Sequence, residues 1–265
     1  MSIAPPVVAI KGVSHAYRTT AGDEVVALKD LDFEIEKNEF VAIVGPSGCG
    51  KSSVLRLIAG LQRPTRGQVR IYGYDVTEPR EDIGFVFQRP TLLPWKCIID
   101  NVLFPLQAAR RTIGADDRQR AMFILGVCGL ADFAQRMPHE LSGGMQQRAA
   151  IARSLFHDPG ILLMDEPFGA LDALTREILG IELLQIVESR RKTVVFVTHS
   201  IPEAVFLADR VVVMTGRPGQ VTEIINVDIP RPRTVQHQSW PQFHACAERI
   251  RSHIYGNRPT SAAHF

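Results

Sequence analysis

Residues 40–44 are five apolar side chains in a row, the pattern of a short strand buried on both faces. Upstream, Leu31, Phe33 and Ile35 alternate with polar neighbours, which predicts a half-buried strand. Strand-like runs at 7–10 and 25–28 flank a turn-rich stretch at 19–23, and residues 68–72 and 83–87 add two more. Directly after position 52 the period changes. Val54, Leu55, Leu57, Ile58 and Leu61 share one helical face, with Gly60 placed to end the helix. From 100 to about 153 the pattern is helical, Ala121, Ile124, Leu125 and Cys128 recurring behind Asp116, which reads as the cap. Strands return at 161–164, 194–197 and 211–214, separated by helical segments at about 174–189 and 202–208. Such alternation predicts an α/β fold with a mainly parallel sheet and helices on its faces, interrupted by a helical insertion. After 228, Pro230 and Pro232 predict an extended connector. Phe243, Ala247, Ile250 and Ile254 then mark a terminal helix, and from 256 onward too little is apolar to hold the tail down. The expected division is a domain over 1–228 with a helical subdomain at about 88–155, then connector, short helix and loose tail over 229–265. A separate regulatory domain would need about 50 residues.

Composition narrows the class without deciding it. With 45% hydrophobic residues in 265 the chain can bury a core, and its formal charge of +2 gives no reason to expect a broad nucleic-acid footprint. No apolar run approaches the roughly 18 residues of a membrane span, and residues 1–6 lack the blocks of a signal peptide, so a cytosolic chain is expected. Cys49, Cys97, Cys128 and Cys246 are scattered without metal-site spacing, so reduced thiols are expected rather than zinc ligands or disulfides.

The chemistry lies where the buried strand passes into helix. Gly45-Pro46-Ser47-Gly48-Cys49-Gly50-Lys51-Ser52 fits G-x-x-x-x-G-K-[ST]. Its three glycines let successive N–H groups curl around a polyphosphate at the positive end of a helix. Lys51 is expected to reach the outer phosphates and Ser52 to offer its hydroxyl to magnesium. Cys49 lies inside this loop, either as a site where an alkylating reagent would block nucleotide binding or simply as a small residue the loop tolerates. The run at 161–164 ends in Asp165 and Glu166. Beside a phosphate loop the first carboxylate suits the metal and the second a water-activating base. His199 directly follows the run at 194–198, a position that predicts a polarising or linchpin role near the γ-phosphate. Ser142-Gly143-Gly144 opens a helix after Leu141 and forms a second anion cradle. One chain rarely needs two cradles for one nucleotide.

With that second cradle the chain resembles the ATP-binding subunit of an ABC transporter, over about residues 7–228. The resemblance implies a P-loop NTPase core with a mainly parallel sheet, an N-terminal antiparallel β subdomain and an inserted α-helical subdomain. It also implies ATP hydrolysis with Mg2+ as cofactor. Residue by residue, Tyr17 matches the aromatic that stacks on adenine, and Gln88 the glutamine that touches magnesium and the attacking water. Residues 45–53 match the nucleotide loop, Ser53 standing where threonine is usual. Ser142, Gly143 and Gly144 match the signature that binds γ-phosphate in trans, with Met145 in place of the commoner glutamine. Asp165 matches the metal aspartate, Glu166 the base, Asp172 the loop that crosses the dimer interface, and His199 the switch histidine, followed by Ser200 where aspartate is frequent.

The implied partners are a second nucleotide-binding subunit, integral membrane permease subunits and a separate substrate-binding protein, at the cytoplasmic face of the membrane; no nucleic acid is implied. Two chains would pair head to tail, each ATP held between Lys51 of one and Ser142 of the other. The segment from Gln88 through Leu92-Leu93-Pro94-Trp95 would carry the motion to the permease, unless Trp95 is part of the insertion's core. Residues 91–95, 203–209, 217–219 and 229–233 look like the nitrate, sulfonate and taurine importer group and are expected to face partners. A chromosome-maintenance or DNA-repair ATPase needs a long coiled coil between phosphate loop and signature, which is missing here. A translation factor of the ABC type normally carries two cassettes, and a nucleotide kinase leaves the signature unexplained. A non-transport ABC ATPase acting on a ribosome or DNA complex is the remaining alternative.

Overall fold

The computed structural model describes residues 5–18, 22–169 and 171–256. The sequence readings for the first four residues, the turn at 19–21, Ala170 and the tail at 257–265 lie outside the described residues. Contacts group the chain into two units, one from the described residues up to Thr77 together with those from Thr198 on, the other Glu78–Val197.

In the first unit β1 (Val8–Arg18) pairs antiparallel with β2 (Glu24–Ile35) and with β4 (Arg66–Ile71), and β4 pairs with β5 (Tyr74–Asp75), giving the order β2-β1-β4-β5. The sequence pattern read β2 as two runs because its buried positions change phase between Leu28 and Leu31, where Asp30 takes a positive φ of 51°. Such an irregularity inserts a residue without ending the strand. The five-residue apolar run is β3 (Phe40–Val44), buried throughout, and it pairs parallel with β9 (Arg210–Thr215). The strand β10 (Gln220–Asn226), antiparallel to β9, has no clean alternation of apolar and polar residues and was invisible to that pattern.

Helix α1 (Lys51–Ile58) follows β3 and buries Val54, Leu55, Leu57 and Ile58. It ends as the glycine predicts. Gly60 takes φ 71°, its N–H donates to Leu57 O (3.2 Å), and Leu61 N–H donates to Arg56 O (2.9 Å). These are the paired bonds of a Schellman stop. Later in the unit come α6 (Ile201–Leu207) and α7 (Pro241–Tyr255). Phe243, Ala247 and Ile250 form the buried face of α7, as their spacing predicts, with Ile254 half-buried.

The segment leading to α7 is tied down by its arginines. Arg231 donates to Asp209 Oδ1 (2.8 Å) and to Leu207 O (2.7 Å), while Arg233 is buried among backbone carbonyls. In the 203–209 stretch, Ala204, Val205, Phe206 and Leu207 are buried, and Asp209 accepts from Phe40 N–H (2.9 Å). Ala204–Leu207 and Arg233 therefore turn inward, which corrects the expectation of partner contact for those side chains, whereas Pro230 and Pro232 are exposed.

The second unit carries β6 (Ile83–Val86), β7 (Ile161–Asp165) and β8 (Thr193–Val197), all parallel. Around them lie α2 (Ile98–Ala108), α3 (Ala115–Val127), α4 (Gly143–Phe156) and α5 (Ala173–Arg190), with α2 packed on α3 and α4. The cap of α3 is Gly114 and not Asp116: Gly114 N–H donates to the Asp117 carboxylate (2.9 Å), which leaves Asp116 in the first turn. Among the described residues no helix is long and apolar enough to cross a membrane.

At the start of β6, the Arg80 guanidinium donates two bonds to Asp82 (2.8 and 2.9 Å), and these hold the Asp82 carboxyl below its usual range. A depressed folded value contributes stability that is present above the unfolded pKa of about 3.9 and is lost as pH falls through the folded value. Below about pH 4 the urea midpoint of Asp82→Asn should therefore fall less steeply than that of the wild type. Parallel slopes would reject the linkage.

Candidate nucleotide site

In the first unit, β3 ends at Val44 and residues 45–50 curl before α1 begins at Lys51. Gly48 (φ 77°) and Gly50 (φ 95°) occupy backbone conformations that L side chains rarely adopt, and Gly50 caps the helix. Gly45 has no space for a side chain, since a Cβ there would stand 2.3 Å from Met214 O. The loop is thus a backbone cradle at a helix N-terminus, the arrangement that favours an anion. Lys51 is buried, its Nζ donating to Gly45 O (2.8 Å) and Pro46 O (3.0 Å), so the ammonium is held at the loop's mouth by the loop's own carbonyls.

Tyr17, at the end of β1, is half-buried, and its hydroxyl bonds Ser53 Oγ (2.8 Å) and Gln62 Oε1 (3.1 Å). His15 meets the Tyr17 ring edge-on at 4.7 Å. The strand residue is therefore fixed to α1 through Ser53, whose hydroxyl is engaged with the tyrosine. His199 is exposed. It follows Thr198, whose N–H donates to Ile43 O (3.2 Å) and whose hydroxyl donates to Glu203 Oε2 (2.6 Å). Ser200 caps α6 by accepting from Glu203 N–H (3.4 Å), the work a serine does well in place of aspartate.

Of the two readings of Cys49, the geometry favours the small residue packed into the loop. Cys49 is fully buried, and burial pushes its thiol up against the opposing pull of the Lys51 charge. Cys128 is also buried, its thiol pushed up to about 12; burial pushes the Cys97 and Cys246 thiols up too, but these two are only half-buried and so the more accessible. Only the thiolate attacks. Iodoacetamide on the native protein should therefore modify Cys97 and Cys246 well before Cys49, as read by peptide mass spectrometry; early loss of the Cys49 thiol would contradict this packing.

In the second unit β7 carries its two carboxylates into different environments. Asp165 is buried as the last strand residue, while Glu166 leaves the strand with φ 45°, a conformation uncommon for a non-glycine residue. Its N–H donates to Val197 O (2.9 Å), and its carboxylate accepts from Gln88 Nε2 (3.2 Å). Sequence order alone separates Gln88 from Glu166 by 78 positions; the parallel pairing of β6 and β7 brings them together.

Ser142 caps α4, its Oγ accepting from Met145 N–H (3.3 Å), and Gly143 and Gly144 form the first turn. Nothing lies within 4 Å of a Cβ built on Gly143, whereas one on Gly144 would meet Leu171 at 3.0 Å. The bareness at Gly143 is thus not forced by packing within this chain. Asp172 caps α5 through Thr175 N–H (2.9 Å) and Thr175 Oγ1 (2.7 Å), bonds that hold its carboxyl below the usual range.

Sequence reasoning missed the residues that fix the segment after Gln88. Gln147, buried on α4, donates to Phe87 O (3.1 Å), and Arg153 donates to Thr91 O (2.7 Å) and Thr91 Oγ1 (2.8 Å). Asn101, also buried, accepts from Leu93 N–H (2.7 Å) and donates to Lys96 O (2.9 Å). Held this way, Trp95 is 71% exposed, which excludes it from the core of the insertion. No single-residue signal separates these polar anchors from surface side chains, because nearly all their partners are backbone atoms.

A protein-family model described as ABC transporter matches residues 28–169. An uncharacterized ABC transporter ATP-binding protein of Methanocaldococcus jannaschii is 51% identical over 213 residues, 80% of this chain and 79% of that protein. An aliphatic sulfonates import ATP-binding protein, SsuB of Bacillus cereus, is 40% identical over 236 residues, 89% of this chain and 92% of its own. Among solved structures, a dimeric ATP-binding cassette in a post-hydrolysis state bound to ADP and Pi aligns with a TM-score of 0.76 at 36% identity, over 84% of this chain and 100% of that one.

Proposed function

The chain belongs to the ABC transporter family as an ATP-binding cassette with ATPase chemistry, and from that premise we propose that it is the ATP-hydrolysing subunit of an importer. The observation that carries this reading is the second anion cradle: Ser142 and two glycines opening the 14-residue helix α4, in a chain that already has the Lys51 loop. Two copies pair head to tail, so that Ser142, Gly143 and Gly144 of one close on the ATP held by residues 45–53 of the other. Binding then favours the closed pair and loss of phosphate the open one, a two-state element suited to alternating access.

The roles divide by chemistry. The glycine cradle and Lys51 hold phosphate, and Tyr17 offers its ring to the base. Glu166 takes a proton from the attacking water, Gln88 orients that water, and His199 polarises the outer phosphate. The Ser52 hydroxyl, the Gln88 amide oxygen and the Asp165 carboxylate are hard oxygen donors, the kind that hold Mg2+ alongside nucleotide phosphates. When bound, that ion neutralises charge on the phosphate oxygens. Asp172 works at the subunit interface. Trp95, exposed on a segment anchored to α4, contacts the permease.

The cargo proposed is nitrate, a sulfonate, taurine or a related small solute. Support comes from the likeness to the sulfonate importer subunit; residues 91–95, 203–209, 217–219 and 229–233 resemble that importer group and mark lineage without naming the cargo. A separate substrate-binding protein delivers it, and the cassette works at the cytoplasmic face of the membrane, held there by permease subunits. A tagged Glu166→Gln form, trapped with ATP in native cells and isolated from detergent-solubilised membranes, is expected to bring down a multi-spanning permease. Recovery of ribosomes or DNA complexes with no permease would overturn the importer reading.

A further inference from the structure

The turn between β9 and β10 contains Arg217-Pro218-Gly219, residues that carry no role in the hydrolysis described above. Its backbone is seated on β2, with Gly219 N–H donating to Ala27 O (2.8 Å) and Lys29 N–H donating to Gly219 O (3.0 Å). From there it presses on the phosphate loop. A Cβ at Gly219 would stand 1.8 Å from Cys49 O, so only glycine permits this approach. Leu28 of β2 supports the next residue, since a Cβ on Gly50 would lie 2.4 Å from Leu28 Cδ2. Arg217 completes the support at the loop's tip. Its Nη2 donates to Ser47 O (3.0 Å), and the guanidinium lies so close to Gly48 that a Cβ there would meet Nη2 at 2.3 Å.

In a planar trans peptide the carbonyl and the following N–H point in opposite directions. Drawing Ser47 O outward onto Arg217 therefore turns the Gly48 N–H to the other side of the loop, the concave side. Glycines at 48 and 50 make the loop soft, and a soft cradle must be ordered when an anion binds. We propose that Arg217 is a positioning residue for the nucleotide: it holds the Ser47–Gly48 peptide so that its N–H faces the phosphates, without touching them itself. The proposal rests on residues 45–52 being the ATP phosphate loop.

The test compares Arg217→Met, which keeps the aliphatic stem without a donor, with Arg217→Lys, which keeps one cationic donor. The probes are fluorescent trinitrophenyl-ATP for binding and MgATP for turnover. Arg217→Met should weaken probe binding about tenfold, the scale of a hydrogen bond to a charged donor, and raise the KM for ATP correspondingly, while kcat stays within about twofold of the wild type. Arg217→Lys should recover much of that loss. Nucleotide-free melting temperatures of both variants should match the wild type, because the arginine is exposed. Met binding as tightly as the wild type, or a fall in kcat at unchanged KM, would overturn the positioning role alone. Failure of the wild type to bind the probe, or binding indifferent to Lys51→Ala, would overturn the nucleotide reading and this proposal with it.

Discussion

Glu166→Gln is expected to lower ATP turnover by roughly 10²–10⁴-fold, about 3–5.5 kcal/mol of barrier, while ATP binding stays close to wild type. The size follows from what the substitution removes. A glutamine keeps the shape of the side chain, and its amide oxygen can still accept from Gln88 Nε2, which lies 3.2 Å from the carboxylate. The backbone anchor from Glu166 N–H to Val197 O is untouched, so the φ of 45° has the same support. Only the capacity to take a proton is lost. Single-turnover hydrolysis at saturating ATP separates that loss from any change in affinity. Normal turnover in the variant would remove Glu166 as the base and direct attention to His199.

The parts of this fold legible in the sequence are those whose partners lie nearby in the chain. Residues 40–44 read as a buried strand because all five are apolar, and the turn after them reads as glycine-dependent because Gly48 and Gly50 take positive φ. The Gly60 stop and the Ser142 cap are likewise local. What failed depended on distant residues. β2 looked like two strands because Asp30 shifts the alternation, and only pairing with β1 shows it to be continuous. Asp116 looked like a cap, but a backbone position, Gly114, is bonded by Asp117 instead. The segments at 217–219 and 229–233 were legible as unusual and illegible as to direction. An arginine beside prolines reads as exposed, since charged side chains are rarely buried unless paired or fully hydrogen-bonded, a reading that holds for Arg217 and fails for Arg233. The carbonyls that receive Arg217 and Arg233 belong to Ser47 and to α6, and no spacing rule connects them.

Arg233 should accordingly be a large stability determinant, with Arg233→Met destabilising the chain by about 3–5 kcal/mol, as expected for removing one side of a buried polar network. The last carbonyls of a helix have no intrahelical donor and carry the negative end of its dipole. In α6 these are met by Arg233 Nη1, which donates to Val205 O (3.1 Å), Phe206 O (3.0 Å) and Ala208 O (2.7 Å). Nε and Nη2 both reach Ile229 O, at 3.2 and 3.1 Å, which ties the chain after β10 to the same guanidinium. At 5% exposure there is little room for water to replace these bonds. Methionine fills most of the space yet donates nothing, so the carbonyls are left buried and unpaired. Lysine, with a compact head in place of a planar fork, should satisfy fewer of them and fall between the two. Urea denaturation measures the difference, and a midpoint shift equivalent to less than about 1 kcal/mol would mean that α6 finds other donors. The same helix is capped at its start by Ser200, directly after His199. Loosening its far end should leave that start in place, since Ser200 accepts from Glu203 N–H within the first turn.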